Sequence, residues 1–264
     1  MQNFFSSSTE LSTHIDKIIT SDGTKSIVLD ATIHSDGVSN YSAYHKVTLG
    51  TNSYAYKEDI RAALGGSTIT SGAGNDSVLG YSGADKFIFS QGSGADILKE
   101  FNNIDSIEFS DLSWNELSFS RDESNLVIKS TLNSSDSITI ENFFSADKTL
   151  SSHLDLIKTT DGNHSILNEA VINVNADNSY TGYDITDGST SLGYRENIVA
   201  TNSENLTLKG GFGDDTIKGG SGNDTLAGGF GGDTFVFSSN FGSDTIADAT
   251  SADSLKFSDL ELSN

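Results

Sequence analysis

The chain of 264 residues has no cysteine and no proline. Without cysteine there is neither a disulfide nor a thiolate metal site, so an extracellular protein of this composition must be stabilised in some other way. Without proline no slow peptide isomerisation delays refolding, which suits a chain that crosses a membrane unfolded. Basic residues are scarce: 15 Lys and Arg stand against 37 Asp and Glu, for a net charge of -22. That imbalance argues against nucleic acid and anionic membrane surfaces as charge-driven partners and points to cations. A merely solvated acidic surface has the same composition. No segment is long and apolar enough to span a bilayer, and the opening MQNFFSSSTEL has neither the basic region nor the apolar stretch of a signal peptide. A secreted chain of this kind needs another export route.

Glycine and aspartate, by contrast, recur in register. Two runs, Ser71 to Lys99 and Gly210 to Ala247, place an aspartate every nine residues on a glycine-rich frame, with an apolar residue two places after each aspartate. The rows GGFGDDTIK, GGSGNDTLA and GGFGGDTFV carry Asp215, Asp224 and Asp233 in the sixth place and Ile217, Leu226 and Phe235 in the eighth. SGAGNDSVL and GYSGADKFI carry Asp76, Asp85, Val78 and Phe87 in the same places. Both runs then step by eleven, from Asp85 to Asp96 and from Asp233 to Asp244, with Leu98 and Ile246 again two places on. A flexible Gly/Asp/Ser linker has a similar composition but no reason to hold such a register.

The register has a physical reading. Six residues rich in glycine can turn through positive φ and present main-chain carbonyls, and the remaining three form a short strand whose eighth residue points inward. A hard cation wants six to eight oxygens, which carbonyls from a glycine turn and a carboxylate from a turn stacked two rows away can supply together.

The whole chain repeats as well. Asn3-Phe4-Phe5 returns as Asn142-Phe143-Phe144, His14 as His153, Asp22-Gly23 as Asp161-Gly162 and Asp76 as Asp215, all at an offset of 139; from Asp85 to Asp233 onward the offset is 148. Copy two therefore holds one extra row of nine, and the unit is a tandem module of about 140 residues. Copy two reaches Leu260 and stops at Asn264, whereas copy one runs on from Ser113 to Glu141, so both ends read as cut from a longer array. The expected segments are 1–61, a β-hairpin or linker portion of module one; 62–112, a first roll; 113–167, an antiparallel β module; 168–200, a polar linker or small β segment; and 201–264, a second, truncated roll. Strands are expected around Leu117–Ser120, Leu126–Ile128 and Ser137–Ile140, and a hairpin around Asp161-Gly162. Leu150 to Ile157 has an i, i+4 apolar pair that allows a helix. Asn173, Asn175 and Asp177 have the alternating oxygens of a helix-loop-helix calcium loop, but Asn178 and Asp184 stand where glycine and glutamate are needed.

These rows resemble the nonapeptide GGxGxDxUx of calcium-binding parallel β-helices, and the chain is similar to RTX (repeats-in-toxin) proteins. The stretch from LKEFNNIDSIEFSDLSWNELSFSRDESNLVIKS to SITIENFF resembles the haemolysin-type calcium-binding related domain that accompanies such rows. The resemblance implies an all-β fold of calcium-binding parallel β-roll (β-solenoid) segments alternating with small antiparallel β modules. It implies extracellular Ca²⁺, about five ions, and export by a type I secretion apparatus, with the bacterial cell surface as one destination. By the same resemblance Asp76, Asp85, Asp96, Asp215, Asp224, Asp233 and Asp244 are carboxylate ligands, with Asp105 and Asp253 closing the last sites. Gly72, Gly74, Gly83, Gly94, Gly211, Gly213, Gly220, Gly222, Gly229, Gly231 and Gly242 offer carbonyls. Ser71 and Tyr81 replace row glycines, and Ser67 and Leu206 take the aspartate place before each run, so copy one should bind fewer ions, and less tightly.

No HExxH, GxSxG or P-loop is present, and no local spacing in the sequence suggests a general-base pairing for His14 or His153. The chain reads as a calcium-dependent scaffold or secretion module and not as an enzyme. Two other readings stay open, a calcium-rigidified adhesin or surface-layer module with a cell-surface partner, and a carbohydrate-binding or carbohydrate-modifying module with a glycan partner.

Overall fold

Each row folds into a glycine turn and a short strand of two to six residues, and in all but the last row the eighth-place apolar residue is buried in the core. The computed structural model of the protein describes residues 52–145 and 147–259, with the strand segments Lys17–Thr20, Gly23–Ser26, Thr32–Val38, Asn40–Ser42 and Val47–Leu49. The repeat positions Asn3-Phe4-Phe5, His14, Asp22 and Leu260 lie outside these residues. The fold is all-β, built on parallel sheets. It divides into two compact units, one made of residues up to Ser118 with Val127–Phe143 and His153–His164, the other of Phe119–Leu126, Phe144–Ser152 and Ser165–Asn264.

In the first unit, successive strands go alternately to two sheets. One sheet contains Thr32–Val38, Lys57–Ala62, Ser77–Leu79, Ala95–Lys99 and Ser137–Ile140; the other contains Asn40–Ser42, Thr68–Thr70, Lys86–Phe89, Ser106–Phe109 and Leu156–Thr159. Each strand is thus parallel to the strand two rows away, with Val78 opposite Ile60, Phe87 opposite Ile69, Leu98 opposite Val78 and Ile107 opposite Phe87. All of these side chains are buried. This is the parallel β-roll: a strand every nine residues can pair only with every second strand, so one chain winds two sheets face to face.

The sheets continue past the rows. Ser137–Ile140 pairs in parallel with Ala95–Lys99, and Leu156–Thr159 with Ser106–Phe109, so strands of the 113–167 segment extend the roll. Gly162–Ser165 follows Leu156–Thr159 in the same sheet, as the Asp161-Gly162 turn suggests. The helix that Leu150 to Ile157 allows, the weaker of its two readings, does not form: a 3-10 turn, Leu150–Ser152, and that strand take its place. A single i, i+4 pair loses to the sheet edge, where Ile157 is buried opposite Ile107.

In the second unit, Val171–Asn175, Arg195–Val199, Thr216–Lys218, Thr234–Phe237 and Ser254–Phe257 form one parallel stack; Tyr180–Thr181, Thr207–Phe212, Thr225–Phe230 and Thr245–Ile246 form the other. Strands from 168–200 therefore begin this roll. Ile198, Leu208, Ile217, Leu226 and Phe235 are all fully buried. Turn geometry demands glycine at Gly211 and Gly213, whose φ values of 100° and 118° are left-handed. A hairpin, Asp184–Asp187 with Thr190–Gly193, interrupts the turn between Tyr180–Thr181 and Arg195–Val199. Among the described residues no helix is long and apolar enough to cross a membrane.

Candidate metal centre

The sixth-place aspartate sits where the turn enters its strand, and the stack above and below covers it. Asp76, Asp85, Asp96, Asp215, Asp224 and Asp233 are each buried. Such carboxylates need partners, and one oxygen of nearly every one has a partner. Oδ1 accepts the main-chain N–H of the residue two rows earlier: Asp76 from Glu58 (2.8 Å), Asp96 from Asp76 (2.9 Å), Asp215 from Glu196 (2.8 Å), Asp224 from Leu206 (2.8 Å) and Asp233 from Asp215 (2.9 Å). The ladder continues to Asp105, Asp244 and Asp253, which accept from Asp85, Asp224 and Asp233 at 2.8, 2.9 and 3.0 Å.

The second oxygen is different. Oδ2 of Asp76, Asp96, Asp215, Asp224 and Asp233, and both oxygens of Asp85, are buried with no hydrogen-bond partner. Leaving a buried carboxylate half satisfied is costly, and the electrostatics register it. Burial, with the Asp96 charge behind it, pushes Asp76 up to about 8. Burial likewise pushes Asp215 up to about 8, with the charges of Glu196, Asp233 and Asp184 adding to it. Asp96 rises to about 7, chiefly through burial. A cation on the unpartnered oxygens removes this penalty.

Oxygens of a second kind lie beside them. A Cβ built on Gly210 would overlap Asp215 Oδ2 and stand 2.6 Å from the carbonyl of Gly228. Side chains at Gly219 and Gly228 would collide with Asp224 Oδ2 and Asp233 Oδ2. The first-place glycine is therefore the seat of the carboxylate of its own row, a role the sequence reading missed. The second- and fourth-place glycines stack on main chain two rows away: Gly211 carbonyl against Gly229, Gly213 against Gly231, Gly222 against Gly242 and Gly74 against Gly94. Among the described residues no three His, Cys, Asp or Glu side chains converge on one point, so any ion here draws on carbonyls as well as carboxylates. An all-oxygen donor set of that kind suits Ca²⁺ and not zinc or copper, and the residues fit it.

Asp105 and Asp253 end the ladder with both oxygens partnered, their Oδ2 atoms accepting from Asn102 N (2.7 Å) and Thr250 N (2.6 Å). Asp244 is less enclosed than the aspartates before it. A second ladder went unread: the fifth-place Asn75, Asp214 and Asn223 accept from Ala95 N (3.0 Å), Gly232 N (2.8 Å) and Ser243 N (2.8 Å), two rows on. Its signal was the recurring Asn or Asp before the row aspartate. Asp136 also closes a turn of the first roll, accepting from Gly92 N at 2.7 Å and Gly94 N at 3.1 Å. Asn173, Asn175 and Asp177 form no helix-loop-helix site, as the missing glycine and glutamate argue: the first two lie on the strand Val171–Asn175, and Asn173 donates to the Phe119 carbonyl. His153 is buried with its ring edge-on to Phe143.

No curated protein is similar to the chain. Among solved structures it is similar to extracellular lipase LipA from Serratia marcescens, at 16% identity and a TM-score of 0.31, over 83% of this chain and 34% of that one. The chain thus spans about a third of the lipase's length. The family model of the RTX calcium-binding nonapeptide repeat matches in four copies over residues 62–98 and 207–235. The turns of 62–98 and 207–235, which bury the row aspartates, are thus RTX calcium-binding nonapeptide repeats.

Proposed function

We propose that the chain is a calcium-binding segment of a secreted protein, unfolded where calcium is scarce and folding into its two rolls on extracellular calcium. It serves as scaffold and secretion module for a type I export apparatus. The observation that carries this reading is the one-sided ladder, in which each buried row aspartate keeps a carboxylate oxygen that no protein group satisfies.

Mass action gives the scale. Extracellular calcium modules have dissociation constants of about 10⁻⁴ to 10⁻³ M, and a site held at ten times its constant contributes about 1.4 kcal/mol. Roughly five sites contribute about 7 kcal/mol, the size of a whole domain's stability. Cytosolic calcium fills none of them, so the chain is threaded for export before its rolls can close.

Isothermal calorimetry on the purified chain tests the reading. Several calcium ions should bind at sub-millimolar to millimolar constants, and equimolar magnesium should not displace them, since its smaller octahedral shell fits these turns poorly. No heat beyond dilution, or equal binding of magnesium, contradicts the proposal.

A further inference from the structure

The one-sided carboxylate recurs where the nine-residue repeat does not. Glu196 stands in an aspartate place, with Ile198 two residues on and its own N–H donated to Asp215 Oδ1. It is 1% exposed. Its Oε1 accepts the Tyr180 hydroxyl at 2.8 Å, and its Oε2 is buried with no partner.

The seat is also the same. In three rows the unpartnered oxygen lies over the glycine five places before its aspartate, Gly210, Gly219 or Gly228. Glu196 Oε2 lies over Gly182, 2.7 Å from where a Cβ would stand. The separation is fourteen residues and not five because the hairpin Asp184–Asp187 with Thr190–Gly193 is inserted in this turn. At Gly182 the nearest oxygens are the Gly210 carbonyl and Glu196 Oε2; at Gly210 they are Asp215 Oδ2 and the Gly228 carbonyl. Carboxylate and carbonyl are thus paired alike at both levels, and glutamate's extra methylene gives it the longer reach.

We propose that Glu196 is a calcium ligand that, with the Gly210 carbonyl and Asp215, holds a further ion ahead of the first nonapeptide row of the second roll. Tyr180 is its positioning residue, since its hydroxyl supplies the donor that a main-chain N–H supplies to Asp76, Asp96, Asp215, Asp224 and Asp233. Arg121 holds that hydroxyl in turn, with Nη1 donating to it at 2.7 Å and the guanidinium 4.7 Å from the centre of the Phe144 ring. The first roll repeats the pair: Glu58 donates its N–H to Asp76 Oδ1 and accepts the Tyr41 hydroxyl at 2.8 Å. The proposal rests on the calcium reading above.

Equilibrium dialysis of the full chain against calcium alone, with circular dichroism to follow folding, tests it. Glu196→Gln keeps an acceptor for Tyr180 and should bind one ion fewer than wild type. Tyr180→Phe should bind the full number with one site roughly tenfold weaker, the usual cost of losing an orienting partner of a metal ligand. If Glu196→Gln is folded and binds the wild-type number with unchanged constants, the proposal is overturned while the calcium reading stands. A wild-type chain that binds no calcium overturns both. If Glu196→Gln does not fold in saturating calcium, Tyr180→Phe decides: one weakened site supports the proposal, and unchanged constants at every site overturn it.

Discussion

Asp224 divides its two oxygens between two tasks, one taking the Leu206 N–H at 2.8 Å and the other left buried and unpartnered. Asp224→Asn should separate them. The amide oxygen still accepts from Leu206, whereas the anionic ligand is gone, so calcium affinity in the second roll should fall at least tenfold with the strand pairing intact; unchanged calorimetric constants would sink the assignment. Acid acts on other row aspartates. Asp76 and Asp215 are pushed up to about 8 and Asp96 to about 7 in the ion-free fold. A carboxyl raised on folding stabilises the fold fully below its ordinary value of about 4 and loses that contribution as pH climbs through the folded value. The calcium-free chain should therefore be more structured near pH 4 than near pH 8, and calcium added at pH 7 should release protons. A flat or rising β signal over that range in calcium-depleted buffer would contradict this. Tyr81 holds a second-place glycine position at a φ of 62°. Tyr81→Gly should raise the stability of the first roll by roughly 0.5–1 kcal/mol in calcium, the left-handed penalty less the entropy of glycine, as read by thermal denaturation.

Rows, as elements, differ with their place in the stack. Ile107 and Leu255 hold the same place in the two rolls, but Ile107 is fully buried beneath the continuing sheet and Leu255 is 57% exposed on Ser254–Phe257, an end strand of its described sheet. Ile107→Ala should cost about 2–5 kcal/mol, whereas Leu255→Ala should stay within about 0.5 kcal/mol; equal losses in denaturant titrations would show that the two strands are covered alike. What could be read in advance follows the same division. The row aspartates and eighth-place residues were legible because period nine repeats them, and the offset of two in Asp96 and Asp244 was legible because both copies share it. Glu196 was not, since the inserted hairpin stretches its turn and hides the period. Nor was the return of Ser137–Ile140 to Ala95–Lys99, because a parallel partner forty residues away leaves no local pattern. Ile172 and Val174 alternate with polar residues and could have marked a strand in the segment read as polar.

For the molecule as a whole, the net charge of -22 and the buried carboxylates oppose the ion-free fold at neutral pH, and the short strands have little else to offset them. On the function proposed above, calcium would reverse that balance by satisfying the unpartnered oxygens and joining successive turns, so folding and ion binding should be one transition. The most direct test is far-UV circular dichroism of the whole chain at pH 7.5, titrated from chelator into millimolar calcium with magnesium as control. A disordered spectrum is expected in chelator and in magnesium, and a cooperative rise of β signal in calcium. The same β spectrum in chelator as in calcium would contradict it.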